Sequence, residues 1–551
     1  MLSPGYVEGA VEECSAPFIP ASGSYQFVQE ESVDGDSRTE IEAREFGEIY
    51  FTRLPIFDEA NANENNALFR WANRFHILSR ERTVAQQLLF ASDQEFSARI
   101  VAESARILRD QGYFYDAAIR PVRLCDERVD VEVITKDNWS FTPSITIDRS
   151  GGENTFSYGL REANFLGRGK EFGVANSRDI DRRSSELFYE DRNVLGSRVR
   201  NKTAIINSSD GHTQVFELAQ PFFALDSRQS WAVHLQDEER QDEQFFRSDD
   251  VSEVEHDLQD FSIEYGVSRG LKDGSARRWI GGYRYRKDEF SIGDELPPPL
   301  EFPSDKELSY PFLRFEAVED RYETAFNLDQ IYRTEDLHLG YEFSSQIGFA
   351  ADAFGSDQDR LVLDSYFSDT LAYNADMYWQ HSLEWEGLWN LETDEAEDLV
   401  VSYETRYFRR QTERRSFFAS VEAVYSKNLS SHRQIILGGF TGARAFDNRF
   451  QVGDRMLQLT MEERLYTDIH LWNLIRLGGA VFVDVGRAWE PGSDNGMEDK
   501  ILADVGFGLR LASSKAASGR IAHIDFAFPL TNRDDPDVRS LQIAFSIKGT
   551  F

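Results

Sequence analysis

The final eleven residues of the chain alternate without a break: Leu541, Ile543, Phe545, Ile547, Gly549 and Phe551 fall on one face, Gln542, Ala544, Ser546, Lys548 and Thr550 on the other. A period of two over that length is a strand with one apolar and one polar side. With no turn, cap or tail after it, this strand is expected to be paired along its whole length. The simplest partner is the first strand of a closed barrel. Lipid outside and water inside account for both faces, so a membrane β-barrel is the leading expectation.

Composition fits this expectation. A formal charge of -36 and a mean hydropathy of -0.50 resemble a soluble acidic protein, and no apolar run reaches the ~18 residues of a helical span. A barrel needs none, because only alternate residues of each short strand face lipid and polar loops dilute the rest. Aromatic residues make up 13% of the chain, a usage suited to girdles at the membrane interfaces. The acidic balance speaks against nucleic acid, whose phosphates call for clustered Lys and Arg. Cys14 and Cys125 are too few for a disulfide framework, and the place of Cys14 in a loose leader argues against a bridge between them. The stretch Met1–Pro20 lacks the basic start and apolar core of a secretory signal, so the beginning is expected to be truncated or already processed.

Three regions follow from texture. Residues 1–43 are rich in Glu, Ser, Gly and Asp and are expected to form a flexible leader. Residues 44–137 alternate between strand and helix signals: Glu48–Pro55 as a strand, helical spacings in Asn66–Phe75, Arg82–Leu89 and Glu95–Gln111, then short strands at Ala117–Leu124 and Arg128–Thr135. Phe96, Ile100, Ala105, Ile107 and Leu108 are the candidate core of the longest helix, and the whole is a small α+β domain. Residues 138–551 read as strands separated by polar turns. Phe261, Ile263, Tyr265 and Val267 share one face, as do Leu337, Leu339, Tyr341, Phe343, Ile347 and Phe349, and Leu399, Val401, Tyr403, Thr405 and Tyr407. By size alone about 16 strands fit, and about 12 or about 18 fit as well. Pro297, Pro298 and Pro299 mark a loop.

Ile436–Phe446 (ILGGFTGARAF) is the most informative motif. Gly438, Gly439 and Gly442 permit backbone torsions that a tight loop needs before Arg444. The segment resembles the loop of the BamA/TamA outer-membrane superfamily (bacterial surface antigens) that re-enters the barrel lumen with a Val-Arg-Gly-Phe/Tyr tip. Here the tip is Ala443-Arg444-Ala445-Phe446, with Ala445 in place of the usual glycine. Ala480–Trp489 (AVFVDVGRAW) resembles the family's Phe-x-Asp-x-Gly strand, and Val481, Val483 and Val485 on the opposite face aim Asp484 into the lumen. The resemblance implies a latch between Arg444 and Asp484, with Glu462 as a second partner and Phe446 in the re-entrant loop. Leu88-Leu89-Phe90 and Glu103–Tyr115 resemble the family's periplasmic POTRA domain, present once. Gly151-Gly152 and Asn164–Gly169 resemble its opening barrel strands.

The family likeness implies an outer-membrane protein assembly, insertion or translocation factor, its POTRA domain in the periplasm. Its barrel would have a weak lateral seam, lined by Ile145 and Ile147 at one end of the chain and Phe545, Ile547 and Phe551 at the other. Expected partners are outer-membrane lipids, extended client polypeptides and a periplasmic or inner-membrane accessory protein. Two alternatives stand: a secretion pore of the two-partner type, and a structural or adhesive surface antigen. No catalytic residue, metal ligand or cofactor is expected. Gly266–Gly270 has G-x-S-x-G spacing, but its serine continues a strand alternation where a nucleophile elbow turns into a helix. The nine histidines form no zinc motif, and Asn532–Asp537 reads as a solvated acidic turn.

Overall fold

The computed structural model describes residues 14, 17–23, 25–27, 42, 44–179, 181–492, 500–515 and 521–548, with the backbone alone for 142–147. They form two units, the first built mainly from residues up to Ser140 together with Asn164–Gly169 and Lys515. Its elements are β1 (Glu45–Leu54), α1 (Ala67–Phe75), α2 (Glu81–Ala85), α3 (Ala98–Arg109), β2 (Phe114–Cys125) and β3 (Arg128–Asp137). The sheet order is β1-β3-β2, with β1 parallel and β2 antiparallel to β3. A parallel β1–β3 pair needs a crossover, which the helices supply. Val129, Val131, Val133 and Ile134 of the central strand are fully buried. Ser97 caps α3 by accepting from the Ile100 amide, and helical spacing carries Val101, Ala105 and Leu108 into the core. Phe96 is buried beside them, while Ile100 and Ile107 are half-buried at the flank.

Two expectations about the leader change. Cys14 is bonded to Cys125, and Phe18 stacks on Tyr50 of β1 with ring centroids 4.1 Å apart. The disulfide and the ring stack both join the leader to the sheet, so these parts of it are attached rather than loose.

The second unit is a closed antiparallel barrel of 20 strands, not about 16. Its first ten are β4 (Phe141–Ser150), β5 (Glu153–Glu162), β6 (Lys170–Arg178), β7 (Arg183–Asp191), β8 (Arg200–Ser208), β9 (Gly211–Gln220), β10 (Gln229–Phe246), β11 (Asp249–Lys272), β12 (Ser275–Ile292) and β13 (Lys306–Glu319). After the hairpin β14 (Tyr322–Phe326) and β15 (Thr334–His338) come β16 (Glu342–Ala350), β17 (Arg360–Asn374), β18 (Met377–Asn390), β19 (Glu395–Thr412) and β20 (Arg415–Lys427). A second hairpin, β21 (Ile435–Leu437) and β22 (Gln451–Gly453), precedes β23 (Arg455–Leu471), β24 (Ile475–Trp489), β25 (Leu502–Ser513), β26 (Ile521–Pro529) and β27 (Gln542–Lys548). The size estimate fell short because it gave every strand the same share of loop. Gly151-Gly152 alone joins β4 to β5, and Asp273-Gly274 alone joins β11 to β12.

The pleat sorts side chains by solvent. On β24, Val481 is 56% exposed on the outer face while Asp484 is 1% exposed inside. On β25, Phe507 and Leu509 face out and Asp504 and Arg510 are buried. Phe261, Ile263, Tyr265 and Val267 of β11 are likewise exposed on the outer wall. The run from Leu337 to Phe349 is not one strand. It breaks between His338 and Glu342: Ile347 and Phe349 face outward, whereas Leu337 and Leu339 are buried with Leu328, Tyr378 and Phe408. Alternation continues across the break because the hairpin also has an apolar face, turned to the inner wall.

Candidate functional site

Among the described residues, the seam is the thinnest ladder of the barrel. β26 pairs with β27 from Ile521↔Lys548 to Ala527↔Gln542, and β4 with β5 from Phe141↔Glu162 to Ser150↔Glu153. Among the described residues, β27 meets β4 in register only at Phe545↔Arg149. The Ile547 amide donates there to a side chain, Asp148 Oδ1, at 3.1 Å rather than to a carbonyl. The expected full-length pairing of the last strand is therefore not present among the described residues. Phe545 and Ile547 are half-buried at this junction. The side chains of Ile145 and Ile147, and all of Phe551, lie outside the described residues.

The segment between β20 and β23 folds into the lumen. Gly438, Gly439 and Gly442 all have positive φ, at 134°, 58° and 114°. A Cβ on Gly442 would meet only the movable end of the Gln458 side chain, so it is the torsion that requires glycine there. Ala443 follows at φ 53°, and Arg444 then points at the inner wall. Its Nε donates to Asp484 Oδ2 at 2.7 Å and its Nη2 to Asp484 Oδ1 at 3.1 Å, a two-pronged contact. Nη1 donates to Glu462 Oε1 at 3.0 Å and reaches Asp525 Oδ2 at 3.4 Å. The guanidinium lies over the Phe482 ring, 3.5 Å from its centroid. Ala445, at the position where the resemblance has glycine, donates its amide to Asp504 Oδ2 at 3.1 Å. Phe446 is buried with Phe450, Phe482 and Leu437. Arg444, Asp484, Glu462 and Phe446 thus stand at one place on the inner wall.

Sequence reasoning missed the two residues after Phe446. Asp447 accepts from Gln542 Nε2 at the start of β27 and lies 3.8 Å from Arg539. Asn448 donates from Nδ2 to Ser150 O at 2.9 Å and to Glu153 Oε2 at 3.0 Å, and from its amide to Gly151 O at 3.3 Å. The loop therefore holds β27 with one residue and the β4–β5 turn with the next. Only an Asp-Asn pair so close to the Arg444 tip could have hinted at this.

A second insert enters the lumen from the opposite end of the barrel. Ile331, between β14 and β15, packs with Tyr466, Ala480, Ala512 and Ile521 on the inner wall. Leu328 O accepts from Arg464 Nη1 at 3.0 Å and Tyr466 Oη at 3.2 Å, and Tyr332 Oη donates to Asp468 at 2.8 Å. Glu462 joins the two inserts, since its Oε1 takes Arg444 and its Oε2 takes Arg464 Nε at 3.1 Å.

The fold also collects Asp242, His256 and His432. Both ring nitrogens of His256 meet carboxylates, Asp242 at 2.7 Å and Asp288 at 3.0 Å, and Arg240 Nη2 stands 3.2 Å from Nδ1. That surrounding is an ion-paired hydrogen-bond cluster. The acidic turn near Asp535 is likewise engaged, by Arg247 and Lys500.

Residues 164–551 match the Omp85 superfamily domain. No curated protein sequence matches the chain. Among solved structures, the chain is similar to BamA from Haemophilus ducreyi lacking POTRA domains 1-3, at 13% identity over 91% of this chain and 85% of that one, with a TM-score of 0.39. It is also similar to CdiB from Acinetobacter baumannii, at 12% identity over 92% of this chain and 74% of that one, with a TM-score of 0.41. For CdiB from Escherichia coli the identity is 12%, the coverage 96% and 93%, and the TM-score 0.36. With the domain match spanning well over half of its length, the chain belongs to the Omp85 superfamily of outer-membrane β-barrel proteins.

Proposed function

We propose that this chain is a non-enzymatic factor that inserts or translocates client polypeptides at the outer membrane, using the β27–β4 seam as the template. The carrying observation is the seam itself, in register only at Phe545↔Arg149 among the described residues. Unpaired backbone amides cost several kcal/mol each in hydrocarbon, so an incoming strand needs a ladder before it meets lipid. An edge that its own neighbour scarcely occupies offers one. Asp447 and Asn448 clasp the outer end of that edge, and the Arg444 latch seats the loop that carries them.

In this reading the small α+β unit is a periplasmic POTRA domain. Its three-stranded sheet has β1 and β2 as edges, and a client segment would add to one of them by backbone pairing, which tolerates varied sequences. An accessory protein of the periplasm or inner membrane would hand the client over. Passage through the lumen is the lesser reading, because the Arg444 loop and the β14–β15 hairpin both occupy it.

The test is a seam lock. Arg149→Cys with Phe545→Cys places two thiols on directly opposed residues, where a disulfide forms across the ladder. Client assembly should stop on oxidation and return on reduction, while either single variant behaves as wild type. Undiminished assembly with the lock closed would remove the seam from the mechanism.

A further inference from the structure

Helix α1 presents an apolar face to solvent. Leu68, Trp71 and Phe75 are 64%, 55% and 62% exposed, at positions i, i+3 and i+7. Phe69 and Ala72 point the other way into the small unit, where Phe69 stacks on Phe57 at 4.0 Å. The helix is firmly placed: Asn66 Oδ1 caps it by accepting from the Phe69 amide at 2.9 Å, and just beyond its end Asp137 accepts from the Ser79 amide at 2.8 Å. Arg70 and Arg74 are exposed along one border of the apolar stripe. Between Glu64 and Glu81 the chain has Arg70, Arg74 and Arg80 and no carboxylate, although its formal charge is -36.

Scattered exposed apolar residues are ordinary. A Trp, a Phe and a Leu on one helical face, bordered by arginines, form the pattern of a helix lying in a membrane interface. The tether between the small unit and the barrel is short. Only Asn138, Trp139 and Ser140 separate β3 from the barrel strand β4, and four peptide steps reach about 14 Å when fully extended. Within the small unit, the Arg80 amide and Thr83 Oγ1 donate to Gly167 O at 2.9 Å and 2.8 Å, in the turn that joins β5 to β6.

We propose that α1 is an interfacial anchor for an anionic phospholipid surface, with Leu68, Trp71 and Phe75 entering the boundary between headgroups and acyl chains and Arg70 and Arg74 meeting phosphates. A protein groove would satisfy the apolar stripe, but the local reversal of charge selects phosphate. This inference does not depend on what the seam does.

The experiment attaches an environment-sensitive fluorophore to Leu68→Cys, Phe75→Cys or, as control, Ala102→Cys on the solvent face of α3. The full chain is placed in nanodiscs of phosphatidylglycerol and phosphatidylethanolamine whose acyl chains carry bromine. Probes at 68 and 75 should be quenched at least twofold more than the probe at 102, and exchanging the lipid for phosphatidylcholine or substituting both Arg70→Gln and Arg74→Gln should reduce that difference. Equal quenching at all three positions overturns the proposal. So does quenching at 68 and 75 that neither phosphatidylcholine nor the Arg70→Gln, Arg74→Gln pair reduces, which would remove phosphate as the ligand.

Discussion

Asp447 and Asn448 are adjacent in the chain and hold opposite sides of the barrel's seam: Asp447 accepts from Gln542 on β27, and Asn448 donates to Ser150 at the end of β4, 2.9 Å away. The two strands share one register pair among the described residues, so a loop from elsewhere in the chain supplies much of what fastens them at this end.

Asn448→Ala removes two side-chain donors from the β4–β5 turn and should lower the temperature at which the folded band converts to the unfolded one on a gel. Hydrogen bonds of this kind are worth about 1 kcal/mol each, and about 1.5–3 kcal/mol to a charged acceptor such as Glu153. Crosslinking between Phe545→Cys and Arg149→Cys should slow in this background. Unchanged conversion and crosslinking would show that the clasp bears no load.

Arg444→Ala leaves Asp484, Glu462 and Asp525 facing one another in a buried site. Breaking a buried ion pair by removing one partner costs about 3–5 kcal/mol. Arg444→Ala and Asp484→Ala combined should be less harmful than the sum of the two, with a coupling of about 1–3 kcal/mol in heat stability. Arg444→Lys should rescue little, because an ammonium does not reproduce the two-pronged contact. Additive effects would mean that the pair is not coupled.

Replacing Arg321–Leu339 with a short Asn-Gly turn opens the inner end of the lumen, since Ile331 and Leu328 leave the wall they cover. Single-channel conductance in planar bilayers should rise severalfold. Deletion of the Arg444 loop should add to it, because the two inserts enter from opposite ends. Unaltered conductance after the hairpin deletion would mean that the residual aperture is set elsewhere.

In the small unit, burial pushes the Lys136 ammonium down to about 8, with repulsion from Lys515 adding to it. The unfolded chain keeps that lysine near 10.4 and so binds the extra proton between the two values. Stability of the unit therefore increases as pH rises from about 8 towards 10.4, and the penalty is fully present below about 8. Lys136→Met should be more stable at pH 7 and should lack the rise, read as protease resistance of residues 44–137 in the intact chain. A wild-type profile that falls over this range like the variant's would refute the assignment.

The outline of the fold was legible wherever one face meets lipid. In β11 and β24, Phe261–Val267 and Val481–Val485 alternate because the two sides face different solvents. The pairing of Arg444 with Asp484 was readable only through the resemblance of their two motifs to the superfamily's loop and strand, because nothing in either segment by itself says that they meet. The strand number was not readable, because two-residue turns such as Asp273-Gly274 leave no gap in the pattern. Leu337–Phe349 misled for the opposite reason: luminal apolar packing and lipid contact give the same alternation. The bond between Cys14 and Cys125 spans 111 positions, and Asn448 meets Ser150 across 298, distances at which local periodicity carries no information.

Strand length changes sharply around the ring. β11 has 24 residues and β10, β12 and β19 have 18 each, while β26, β27 and β4 have 9, 7 and 10. About 9–11 residues suffice to cross a bilayer, so among the described residues β10, β11, β12 and β19 run on past that length while β26, β27 and β4 do not. On the low side, the Asp447–Asn448 clasp is what bridges the outer end of the joint.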